Sequence, residues 1–135
     1  MPEVEEAIGR VPLFAKLSKR DLKGLAASMK ERTFPAGTVI TEVGQSGLGF
    51  FIIDSGTASV VVGGKPGRTL GAGDYFGEIA LIDQGPRTAK ITADCELRCY
   101  GMTAWEFRPF VQSHPDVAWA LLETLAQRVR DAQQA

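Results

Sequence analysis

Between Thr33 and Cys99 the chain consists of short apolar and β-branched runs cut by glycines, and this punctuation constrains the fold more than any other feature. Thr38-Val39-Ile40 comes first, and Phe50-Phe51-Ile52-Ile53 follows the glycines between Gly44 and Gly49. Asp54-Ser55-Gly56 reads as a turn, Thr57 to Val62 as a strand, and Gly63-Gly64-Lys65-Pro66-Gly67 as a tight loop. Thr69-Leu70 then leads into Gly71-Ala72-Gly73-Asp74. Turn signals spaced about 8–12 residues apart predict an all-β sandwich or barrel. After Arg87 the alternation is clean: Ala89, Ile91, Ala93, Cys95, Leu97 and Cys99 share one parity, while Lys90, Thr92, Asp94, Glu96 and Arg98 share the other. That pattern predicts one buried and one wet face, with a turn near Asp94 as the point where one strand would become two.

Helical periodicity brackets this region. Val4 to Ile8 forms a short amphipathic turn and Val11-Pro12-Leu13-Phe14 an apolar connector. Ser18 with Asp21 resembles a capping box and is followed by Leu22, Leu25, Ala26 and Met29 at helical spacing. On the C-terminal side Thr103 and Glu106 form a second capping box ahead of Phe107, Phe110 and Val111. Pro115 opens a last helix with the stripe Val117, Leu121, Leu122, Leu125 and Val129. His114, just before that proline, reads as a connector between the two helices. The fold class is therefore mainly β with flanking helices: a β-roll of jelly-roll type, with N-terminal helices and two C-terminal helices. One domain spanning 1–135 is expected, with helices over 1–32, the roll over 33–102 and the closing helices over 103–135.

Composition excludes several function classes. A net charge of −1 gives no electrostatic footprint for nucleic acid or an anionic membrane. No apolar run approaches the ~20 residues a membrane helix needs, and the acidic N-terminus lacks signal-peptide character. Cys95 and Cys99, placed on one strand face, would stand roughly 13 Å apart, too far for a disulfide, so buried reduced thiols and a cytoplasmic setting are expected. One histidine and two such cysteines make a metal site improbable.

The chemistry concentrates in Phe76-Gly77-Glu78-Ile79-Ala80-Leu81-Ile82-Asp83-Gln84-Gly85-Pro86-Arg87-Thr88-Ala89. Gly77 permits close approach of the backbone to a ligand, and a turn entering a short helix leaves amide N–H groups for an anion. Arg87 adds a guanidinium fork suited to a phosphate, and Glu78 an acceptor for hydroxyls. An anionic group joined to a sugar-like hydroxyl is the ligand this set suggests; a turn–helix–turn with a surface ion pair is the plainer alternative.

These residues resemble the phosphate-binding cassette of the cyclic nucleotide-binding domain family. The Phe-Gly-Glu-Ile-Ala-Leu run appears as Phe76 to Leu81, and Pro-Arg-Thr-Ala as Pro86 to Ala89. Counterparts of the upstream family glycines are Gly37, Gly44, Gly56 and Leu70-Gly71-Ala72-Gly73-Asp74, so the resemblance runs from about Leu13 to Arg130. It implies that Arg87 pairs with the exocyclic phosphate oxygens and that Glu78 accepts from the ribose 2′-hydroxyl. The amides of Ile79 and Ala80 would donate to the phosphate. Phe76, Gly77 and Ala89 frame the cassette. Thr88 would reach the phosphate and, with a syn base, the amino group of guanine, which permits cGMP without requiring it; the family's bacterial cAMP receptors also carry Ser or Thr here, and cAMP is favoured. Asp131, Gln133 and Gln134 lie near where the family places a base-capping residue.

A regulatory ligand-sensing module without an added cofactor is the expectation, with movement of the C-terminal helices as its output. The last helix offers a face for a second copy or a partner protein. A ligand-free structural or interaction domain of the same fold is the alternative. The chain lacks the metal ligands or positioned base expected of an enzyme acting on a cyclic phosphate.

Overall fold

The computed structural model describes residues 2–41, 49–77 and 89–134. The chain begins with helix α1 (Pro2–Gly9), a 3-10 turn (Pro12–Phe14) and helix α2 (Lys19–Ser28). Strands β1 (Lys30–Phe34), β2 (Val39–Thr41), β3 (Phe50–Ser55), β4 (Ala58–Val62), β5 (Lys65–Leu70), β6 (Tyr75–Phe76), β7 (Ala89–Ala93) and β8 (Leu97–Met102) follow. Helices α3 (Ala104–Ser113) and α4 (Pro115–Gln134) close the described chain. The strands form two antiparallel sheets, ordered β1-β8-β3-β6 and β2-β7-β4-β5. This is the expected β-roll with helices on either side.

The run Phe50-Phe51-Ile52-Ile53 is apolar throughout because the first sheet is covered on both faces. Phe51 and Ile53 face the second sheet, packing with Phe76, Ala58, Leu70 and Ile91. Phe50 and Ile52 face the helices, joining Ile8, Val11, Phe14, Leu25, Phe107 and Val117. Each large side chain buried this way contributes roughly 1.5–3 kcal/mol, so the first sheet is the mechanical centre of the molecule. The second sheet has a wet outer face, and its strands show the weaker, mixed burial expected of one.

Local chemistry sets the helix ends. The Ser18 hydroxyl accepts from the Asp21 amide at 3.1 Å, and the Thr103 amide donates to Glu106 Oε1 at 3.1 Å. His114 is the joint between α3 and α4: its Nδ1 lies 2.7 Å from the Phe110 carbonyl oxygen and its ring stacks on Phe110 at 4.2 Å.

Three expectations are corrected, and the two readings of the last helix each hold for part of it. Cys95 is exposed whereas Cys99 is buried, because Asp94-Cys95-Glu96 is the connection between β7 and β8 and not a stretch of strand. The loop expected over 63–67 contracts to a two-residue turn: Gly63 and Gly64 adopt φ of 59° and 76°, the geometry of a tight hairpin. Lys65, Pro66 and Gly67 therefore begin β5, an edge strand where a proline's missing N–H is tolerated. Strand β1 starts at Lys30 and not Thr33; only Phe34 of its residues is buried, so no periodicity announced it. The stripe on α4 divides: Val117 and Leu121 are buried, while Leu122 and Val129 are 56% and 55% exposed.

Candidate functional site

Of the cassette positions, Phe76, Gly77 and Ala89 are among the described residues; Glu78, Ile79, Ala80, Arg87 and Thr88 lie outside them. The three described residues fix where the segment leaves and returns. Phe76 belongs to β6 at the edge of the first sheet, in register with Phe51. Its ring is 3% exposed and stacks on Phe51 with centroids 5.3 Å apart. Offset aromatic pairs of this kind add about 0.5–1.5 kcal/mol beyond burial, so the start of the cassette is rigidly seated. Gly77 follows with φ +99°, a conformation that side chains rarely adopt, which explains the glycine at this point in physical terms. Ala89 opens β7 opposite Val62, so the chain leaves one sheet at Gly77 and joins the other at Ala89.

The turn ahead of β6 is held by four hydrogen bonds. Gly73 N–H donates to the Ile53 carbonyl at 3.0 Å, and Ile53 N–H donates to the Asp74 carbonyl at 2.9 Å. Asp74 N–H donates to the Gly71 carbonyl at 3.0 Å, and the Asp74 carboxylate accepts from the Gly71 amide at 2.8 Å. The stretch from Gly71 to Asp74, noted in the sequence only as a counterpart of the family glycines, is the turn that attaches β6 to β3.

An aromatic chain runs from this edge to the helices. Phe50 lies 5.5 Å from Tyr75, stacks on Phe107 of α3 at 4.8 Å and meets Phe14 edge-on at 6.1 Å. Phe107 was legible as a helix-face residue and Phe50 as strand, but their stacking depends on two elements meeting across the fold. No local pattern encodes it.

Charged groups gather at the end of β3. Asp54 accepts from Arg10 Nη2 at 3.0 Å, and Arg98 Nη1 stands 3.9 Å from its other oxygen. Arg98 also grips Glu31 through two contacts, of 3.0 and 3.1 Å, and approaches Glu3 at 3.7 Å. Hydrogen bonding to Glu31 is the main reason the Arg98 guanidinium is held even more firmly in its charged form. Burial pushes the Tyr100 phenol above its ordinary range, and Arg98, whose guanidinium lies 5.8 Å from its ring, opposes this. Burial likewise pushes the Cys99 thiol up to about 12, leaving it an inert packing group. Sequence reading missed the Arg10–Asp54 pair, whose members are 44 positions apart and unremarkable in isolation.

Among the described residues no cluster of His, Cys, Asp and Glu is placed to hold a metal ion. None of the described helices is long and apolar enough to cross a membrane.

Comparison with known proteins matches this architecture to a family. A cyclic nucleotide-gated potassium channel of Rhizobium etli is 34% identical over 123 residues, which cover 91% of this chain and 34% of the channel. A CRP-like cAMP-activated global transcriptional regulator of Mycobacterium tuberculosis is 28% identical over 132 residues, covering 94% of this chain and 59% of the regulator. The chain thus spans a third to three-fifths of the length of these two relatives. The crystal structure of the Thermus thermophilus catabolite activator protein superposes with a TM-score of 0.82 at 27% identity, over 91% of this chain and 60% of that one. The family profile described as cyclic nucleotide-binding domain matches residues 31–114, a span that includes the whole stretch from Phe76 to Ala89. With that match over most of its length, the chain belongs to the cyclic nucleotide-binding domain family.

Proposed function

We propose that this chain is a non-catalytic sensor module that binds a cyclic nucleotide, cAMP in preference to cGMP, and transmits occupancy to its C-terminal helices. The observation that carries the reading is the family match over residues 31–114, a span that includes Phe76 to Ala89. In this reading Arg87 is the anchor for the cyclic phosphate, Glu78 takes the ribose hydroxyl, and the amides of Ile79 and Ala80 complete the anion cradle. Thr88 supplies a hydroxyl beside the phosphate and leaves cGMP as the second ligand.

Occupancy would reach the helices through packing. Phe107 sits at the start of α3 and stacks on Phe50, which also touches Tyr75, two residues before Gly77. A shift of the cassette is thus felt by α3 and, through the His114 joint, by α4. The exposed part of α4, with Trp119, Leu122 and Val129, is the face for a second copy or a partner protein.

Charge-assisted hydrogen bonds contribute roughly 1.5–3 kcal/mol each, so Arg87→Ala is expected to weaken cAMP binding by about two orders of magnitude or more. Calorimetry on the wild type and variant tests this, and equal affinity would remove Arg87 from the site. For the wild type, ligand at 100 times its dissociation constant should stabilise the fold by about 2.7 kcal/mol in a melting experiment. Absence of any shift with millimolar cAMP or cGMP would favour a ligand-free interaction domain.

A further inference from the structure

We propose that Asp54, gripped by Arg10 and Arg98, is a positioning residue for the nucleotide site, acting through the turn that launches the cassette. The inference rests on the ligand reading above and assigns a role to residues outside Phe76 to Ala89. Asp54 is the residue after Ile53, and Ile53 is the backbone partner of both Gly73 and Asp74. Whatever holds the end of β3 therefore holds the turn from Gly71 to Asp74, and that turn delivers Tyr75, Phe76 and Gly77 to their places.

Three observations show that this end is held deliberately. The Asp54 side chain is only 16% exposed, so its charge needs partners in the fold, and Arg10 and Arg98 approach its two oxygens at 3.0 and 3.9 Å. Arg10 is itself steered, because its Nε donates to the Glu6 carbonyl of α1 at 3.4 Å. The Arg10 carbonyl oxygen also packs over Gly73, 3.5 Å from where a Cβ would stand. One arginine thus touches both strand end and turn, by its side chain on Asp54 and by its backbone on Gly73.

The pair clamps Asp54 and Gly73 to the junction between α1 and the 3-10 turn. Without it the turn retains its hydrogen bonds to Ile53 but loses the outer support that sets its position. Asp54→Asn keeps the shape and removes the charge; Arg10→Ala removes the closer of the two arginine contacts on Asp54; Arg10→Lys keeps the charge without the fork.

The experiment measures cAMP affinity by calorimetry and amide hydrogen exchange on the full chain. Asp54→Asn and Arg10→Ala should each weaken cAMP binding by about three- to tenfold, the range expected of a partly shielded ion pair. Arg10→Lys should recover part of the loss, and the double variant should be no worse than the single ones. Exchange at the Gly73 and Asp74 amides should accelerate in the ligand-free variants, with α4 unchanged. Wild-type affinity in Asp54→Asn, or unaltered exchange at both amides, would overturn the proposal. If the wild type binds no cyclic nucleotide, the function reading fails, and the exchange measurement still decides whether the clamp positions the turn.

Discussion

At the scale of single residues, the most informative positions are those whose environment leaves one option. Gly56 has φ +90°, and a Cβ there would run into the carbonyl oxygen of Glu96 at the opening of β8. Gly64 also has positive φ, at 76°, but faces open space. Both alanine substitutions carry the left-handed penalty of about 1–2 kcal/mol, and only Gly56→Ala adds a backbone collision, so it should cost about 2–4 kcal/mol. Urea titration of the two variants reads the difference; equal midpoints would mean that the strand end yields freely. Cys99 makes a second case. Its thiol is neutral in the fold up to about pH 12 while the unfolded chain ionises near the ordinary 9.0, so above that pH the unfolded state binds fewer protons. Stability is therefore fully present below pH 9 and declines as pH rises toward 12, by about 1.4 kcal/mol per unit from this group. A thiol reagent at pH 8 should modify one cysteine in the native protein, Cys95, and two after denaturation.

At the scale of elements, what was legible followed from burial on one side. The parity from Ala89 to Cys99 survived the turn at Asp94-Cys95-Glu96, so Leu97 and Cys99 stayed on the inner face as the alternation implied. Cys95 kept the parity and lost the burial, since a periodic pattern carries no information about where a strand stops. Both capping serine and threonine were legible because a cap is a local hydrogen bond. Ser18→Ala should accordingly cost about 1 kcal/mol, measured by denaturant unfolding. Helix α4 shows the opposite limit. Its apolar stripe reads continuously, yet of the stripe residues Val117 and Leu121 join the core while Leu122 and Val129 are exposed, a division that helical periodicity alone does not encode. Leu121→Ala should cost about 2–5 kcal/mol, whereas Leu122→Glu combined with Val129→Glu should leave the stability of a lone chain within about 0.5 kcal/mol per substitution. A large destabilisation of the double variant that grows with protein concentration would instead show that the outer half of α4 already has a partner.

For the molecule as a whole, the cassette stands out in the sequence because residue types suited to one chemistry fall in one stretch, although only Phe76, Gly77 and Ala89 of it are among the described residues, while the packing around it was not legible because it is assembled from distant parts. Phe14, Phe50, Tyr75 and Phe107 come from four separate segments and form one aromatic block between the cassette's edge strand and α3. In the proposed coupling this block is where two packings would differ, the rings moving together or losing their contacts. Ligand can shift α4 only to the extent that it favours one packing over another, and a tenfold shift in population requires about 1.4 kcal/mol of difference. Making or breaking the Phe50–Phe107 stack would supply a part of that difference, since aromatic contacts contribute about 0.5–1.5 kcal/mol beyond burial. Phe107→Leu keeps an apolar group and most of the volume while removing the ring face. It is expected to fold, to bind cAMP within a few-fold of the wild type, and to lose most of the cAMP-dependent change in amide exchange across residues 115–125. Should that change persist undiminished in the variant, the signal reaches α4 by a route that bypasses the aromatic block, and the path through Phe50 is wrong.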